Sequence, residues 1–142
     1  HNLGRWTEEE AAGTPKGSFC VDNEREVRAL LSRYRRQVPL VISGHRHIGL
    51  RARRLGGVLY MTVPALCSHP MRYTLLELDH RGISWQTVAA PVPNEVHAVA
   101  RANLLAEPFW RGDRWAEATA RNDAAALSYY ENRRQQQGHR RW

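Results

Sequence analysis

Between Asp22 and Gly44 the hydrophobic period of the chain changes once, and that change restricts the fold more than any other feature. Val27, Leu30, Leu31, Tyr34 and Val38 recur at helical spacing, which predicts an amphipathic helix with an apolar stripe turned to a core. Asp22 or Asn23 is placed to cap it, and Asn23 with Glu26 matches a capping box. Acids at its start (Glu24, Glu26) and arginines near its end (Arg33, Arg35, Arg36) both suit the helix dipole. Pro39 stops the helix, because proline lacks the amide hydrogen and clashes with the preceding turn. Leu40-Val41-Ile42 then runs apolar without alternation up to Gly44, the pattern of a buried strand, and the helix before it predicts parallel pairing. A helix feeding such a strand places the chain in the α/β class.

Downstream of 48–57, an arginine-rich stretch read as a polar turn and loop, the pattern is antiparallel β. Residues 58–63, 73–79 and 83–88 read as strands, and Asp79-His80-Arg81-Gly82 is a good hairpin connection between the last two. The order is thus helix, strand, then an antiparallel meander. Pro91 and Pro93 close the sheet region, and the composition turns rich in alanine. Residues 94–106 and 113–136 read as two helices, the second with Glu117 and Arg121 paired one turn apart. Ala98, Ala102 and Leu105 share a face expected to pack on the sheet. The chain divides accordingly into residues 1–90 and a helical extension, 91–142. Residues 1–21 carry Gly4, Gly13, Pro15 and Gly17 without a period and read as a loop.

Composition removes several function classes. With 42% hydrophobic and 25% charged residues the chain is ordinary for a soluble domain. No apolar run approaches the ~20 residues of a membrane span, and no charged-then-apolar leader opens it. Cys20 and Cys67 are too few for a disulfide framework, so reduced thiols and a cytoplasmic setting are expected. Cys67 is expected to be a small buried hydrophobe. The net charge of +7 suits phosphate-bearing partners, but no nucleic-acid-binding motif accompanies it, so nucleic acid is the lesser expectation.

The chemistry gathers at Ser43-Gly44-His45-Arg46-His47. Two histidines at i,i+2 follow the end of a buried strand, where α/β proteins place their ligand sites. Gly44 is expected to make the sharp turn or the close approach to a ligand, and neutral imidazole is a natural ligand for a divalent transition metal.

Gly-His-Arg-His after helix, proline and strand resembles the Gly-His-x-His block that ends the motif set of the calcineurin-like metallophosphoesterases. His1-Asn2-Leu3-Gly4 falls where that family has an earlier histidine. Gly57 to Pro64 and Tyr73 to Asp79, with a turn at Gly82, resemble the closing strands of its cyclic-nucleotide phosphodiesterase branch. The resemblance covers about residues 1–90 and implies the C-terminal portion of a four-layer α/β sandwich. It further implies two divalent metal ions (Mn, Fe, Zn or Mg), one bound by His1 and His45 and the other by His47, hydrolysing a phosphomonoester or phosphodiester. Arg46, Arg51 and His69 are candidate contacts to the phosphate-ester substrate, with His69 read as a surface-loop histidine beside the cleft. The family's Asp-x-His, Gly-Asp-x-x-Asp and Gly-Asn-His-Asp/Glu blocks do not occur in the chain, and no residue is assigned the acid role. The resemblance therefore implies, as partner, an N-terminal half of the same domain, without which the chain is expected to be inactive. The alternative is a non-catalytic basic module binding an acidic partner or nucleic acid.

Overall fold

A computed structural model describes residues 1–3, 15–47 and 49–111. It is a mixed α/β structure with two helices, α1 (Glu24–Arg33) and α2 (Asn94–Ala106), and five strands. These are β1 (Leu40–Ser43), β2 (Arg51–Leu55), β3 (Val58–Thr62), β4 (Arg72–Asp79) and β5 (Gly82–Ala89). The described residues group into two compact units, one from 1–46 and 51–62, the other from 47–50 and 63–111. Among them no helix is long and apolar enough to cross a membrane.

In the first unit β3 is the central strand of a three-stranded sheet ordered β1-β3-β2. All five of its residues are buried, as expected of a strand paired on both edges. β1 runs parallel to it, from Leu40 opposite Leu59 to Ser43 opposite Thr62. β2 runs antiparallel, from Arg51 opposite Thr62 to Leu55 opposite Val58. The expected loop at 48–57 is therefore corrected: half of it, Arg51–Leu55, is a strand. Gly56 and Gly57 close the β2–β3 hairpin with φ of 56° and 86°, the left-handed pair that a two-residue hairpin turn with the right twist demands. The Ser32 hydroxyl donates to the Gly56 carbonyl at 3.0 Å, and a Cβ on Gly56 would lie 2.6 Å from that same oxygen.

The covered side of α1 is only in part the one its apolar spacing predicts. Glu24 is buried, Val27, Arg28, Leu31 and Ser32 are half-buried, and Leu30 and Tyr34 are each 53% exposed. On this side of the helix Arg28 Nε pairs with Glu24 Oε2 at 2.6 Å, so the buried carboxylate has a cationic partner one turn on. Tyr60 of β3 feels the pair: burial pushes its phenol up, Arg28 opposes that, and Glu24 adds to it.

In the second unit β4 and β5 form a separate two-stranded hairpin, from Arg72 opposite Ala89 to Asp79 opposite Gly82. The expected meander is thus split, since β3 pairs with β1 and β2 while β4 and β5 pair only with each other. The hairpin turn stands where the sequence places it. Asp79 Oδ1 accepts from the Arg81 and Gly82 amides at 2.7 and 3.1 Å, and its Oδ2 accepts from Arg81 Nε at 2.8 Å. α2 spans the expected residues, but its covered side is Leu104 with the half-buried His97 and Ala100, not Ala98, Ala102 and Leu105. The helix expected at 113–136 lies outside the described residues.

Two outcomes follow from these turns. Gly56→Ala must place a Cβ in the left-handed region and against Ser32, so urea unfolding should show a loss of about 1–3 kcal/mol. An unchanged midpoint would contradict the hairpin geometry. Hydrogen bonds from Arg81, side chain first and then amide, hold the Asp79 carboxyl below its ordinary range. A carboxylate depressed in the folded state stabilises above its unfolded pKa and loses that contribution as pH falls. Wild type should therefore exceed Asp79→Ala in stability at neutral pH, and the difference should close as pH drops through and below the usual aspartate range. A gap independent of pH would refute the assignment.

Candidate functional site

Strand β1 ends at Ser43, and the turn that follows is built differently from the expectation that Gly44 makes it. A Cβ on Gly44 would meet nothing within 4 Å, and the left-handed residues are instead His45 (φ 72°) and His47 (φ 54°). Non-glycine residues in this region are uncommon and cost on the order of 1–3 kcal/mol, though histidine tolerates it better than most. Such strain persists where the surroundings enforce it, and it clusters at functional sites. Here the turn sets two exposed imidazoles on either side of a fully buried Arg46.

His45 belongs to the first unit. Its ring centroid lies 4.4 Å from that of His1, tilted by 34°, and 5.2 Å from that of Phe19. His1 is exposed, so the pair faces solvent with a phenyl ring beside it. The Arg46 guanidinium stands 5.7 Å from the Phe19 centroid, a favourable cation–π arrangement. Phe19 therefore neighbours both the imidazole pair and the buried cation.

Asn2, which sequence reasoning passes over, is the most connected polar residue here. Its amide donates to the Phe19 carbonyl at 2.8 Å, and its carbonyl accepts from the Val21 amide at 3.0 Å. Its side-chain Oδ1 accepts from Ser43 Oγ at 2.7 Å and from Thr62 Oγ1 at 3.0 Å. The only signal for it in the sequence is position: a polar residue next to a candidate ligand.

His47 belongs to the second unit. Its carbonyl accepts from Ser68 Oγ at 3.0 Å, and its Nδ1 lies 3.9 Å from the Cys67 sulfur. Cys67 is exposed and free, which corrects the expectation of a buried hydrophobe. His69 is corrected in the opposite sense: it is only 6% exposed, not a surface-loop histidine. Arg46 and Arg51 are buried as well, so none of the three candidate substrate contacts presents its side chain to solvent, and this argues against direct substrate contact.

What remains for metal chemistry is the imidazole set. His1 and His45 are close enough for one nitrogen from each to reach a shared ion at the ~2.0–2.1 Å of a zinc–imidazole bond. His47 would serve separately. Among the described residues no cluster of three or more histidine, cysteine, aspartate or glutamate side chains could hold a metal. The donors thus fit at most part of a ligand set. No family model, no curated protein and no solved structure matches the chain. The site therefore stands on its own geometry and on the Gly-His-Arg-His motif.

The strain yields a test that separates backbone from chemistry. Glycine adopts positive φ without penalty while alanine does not. His45→Gly should therefore be more stable than His45→Ala, by about 0.5–1 kcal/mol after the entropy of the unfolded chain is counted. Denaturant midpoints in the reverse order would show that residue 45 is not held left-handed.

Proposed function

We propose that the chain is the C-terminal part of a dinuclear-metal phosphoesterase hydrolysing a phosphomonoester or phosphodiester. In this reading its two small sheets and helices belong to a four-layer sandwich completed by an N-terminal half of the same domain. His1 and His45 hold one divalent ion (Mn, Fe, Zn or Mg) and His47 holds the other. The supporting observation is the turn after β1, where two exposed histidines occupy left-handed backbone and the first lies against His1. When bound, a metal pair supplies the clamp on the phosphate and an activated water.

The chain's own residues do the rest. Neutral imidazoles present their lone pairs, so ligation weakens as the histidines protonate. Phe19 limits the position of the His45 ring. Arg46, drawn inward, leaves the two flanking imidazoles facing outward. The bridging carboxylate comes from the N-terminal half, so the chain alone does not turn over. With both cysteines free, the cytoplasm is the proposed setting.

In the intact parent with Mn²⁺, His45→Ala and His47→Ala should each lower phosphoesterase activity by ~10-fold or more, the scale found even for outer-shell losses. Full activity in both variants would remove the ligand assignment.

One observation favours a second reading, a non-catalytic basic module for an acidic partner or nucleic acid. Arg35 and Arg54 meet at the β2–β3 tip: the Arg35 chain borders Gly57, and Arg54 Nη1 donates to the Gly57 carbonyl at 3.0 Å. Exposed Arg36 and Arg53 add to the positive charge of the same unit. Salt-dependent polyanion binding that survives loss of both histidines would favour it.

A further inference from the structure

We infer that Asn2 is a positioning residue, whose side-chain oxygen, pinned between the ends of β1 and β3, holds His1 against His45. Asn2 is 1% exposed, and both of its backbone groups are tied to 19–21. Ser43 and Thr62 are the last residues of their strands and stand opposite each other in the parallel register. Both hydroxyls converge on Asn2 Oδ1, and they also lie 3.2 Å from one another. One side chain therefore ties an otherwise irregular segment to the end of the sheet. His1 is one residue before that tie and His45 two residues after Ser43. With consecutive Cα atoms ~3.8 Å apart, fixing Asn2 leaves His1 little room to leave the 4.4 Å ring contact.

A second observation concerns the other end of the same side chain. Asn2 Nδ2 is buried and has no hydrogen-bond partner, and an orphaned buried donor is unfavourable for folding. Stability alone would be better served by a residue without that donor. The functional value of the His1 placement rests on the reading that His1 and His45 share an ion, but the placement itself does not.

The test is histidine-ring NMR on the full chain, with Zn²⁺ as the probe. Wild type should show nuclear Overhauser contacts between the His1 and His45 rings, and both rings should shift at the same Zn²⁺ concentrations. Asn2→Ala should lose the ring-to-ring contacts while keeping those between β1 and β3, and Zn²⁺ should then move His45 alone, with affinity lower by ~10-fold or more. Asn2→Asp keeps the acceptor and should restore the ring contacts. Ring contacts that persist in Asn2→Ala, or that Asp fails to restore, overturn the inference. If Asn2→Ala does not fold, Ser43→Ala with Thr62→Val removes the two donors instead. Loss of the ring contacts there supports the role, and their survival refutes it. Ring contacts that depend on Asn2 in a chain whose histidines ignore Zn²⁺ would support the positioning role and count against the phosphoesterase reading.

Discussion

The parallel pairing of β1 on β3 is the interaction on which the rest of the first unit depends. Parallel strands bring their C-terminal ends to the same side, so Ser43 and Thr62 finish opposite one another. That coincidence creates a pair of hydroxyls at the sheet end, where α/β folds place ligand sites. The hydroxyls hold Asn2, Asn2 holds the segment carrying His1, and the strand end launches the turn carrying His45. An antiparallel β1 would send its C-terminus to the opposite end of the sheet and separate these groups. The pairing needs β3 buried on both faces and paired on both edges, and β2 completes the second edge.

The strain in the turn has to be offset, because two left-handed histidines together cost a few kcal/mol in a fold whose total stability is of order 5–15 kcal/mol. The side chain between them is well placed to contribute. Arg46 is fully buried beside Phe19, and its long aliphatic stem covers apolar surface while the guanidinium faces the ring. The Ser68 hydroxyl holds the carbonyl of His47 in the second unit. The turn is thus restrained at Arg46 and again one residue later.

Legibility in the sequence followed the range of the interactions. α2, β1 and the Asp79–Gly82 turn were readable because proline, glycine and aspartate act within a few residues. The Gly-His-Arg-His motif marked the site for the same reason. β2 was not readable, because Arg51-Ala52-Arg53-Arg54 lacks apolar alternation and its strand state comes from pairing with β3. The facing side of α1 is legible only in part: Val27 and Leu31 are covered as their spacing implies, but apolar spacing gives no weight to Glu24, which is buried and paired with Arg28 at i+4. Asn2 was invisible for the strongest reason: its partners Ser43 and Thr62 are brought to it only by the tertiary fold. Gly44 drew attention by its type, yet the unusual backbone angles fell on the histidines beside it.

The arginines divide the charge of this chain into two physical roles, which a net value of +7 conceals. Arg46 and Arg51 are inside, and a guanidinium that far from water is tolerated only where local contacts compensate its desolvation. Buried in this way, these two do not present their charge to solvent. Arg33, Arg35, Arg36, Arg53 and Arg54 are exposed, and attraction of an anion through water falls to them, screened over ~8 Å at physiological salt. Neutralising the exposed group should slow association and flatten its salt dependence while sparing the turn, whereas replacing Arg46 should disturb the turn itself. Burial thus separates the arginines held inside from those that remain available to an anion.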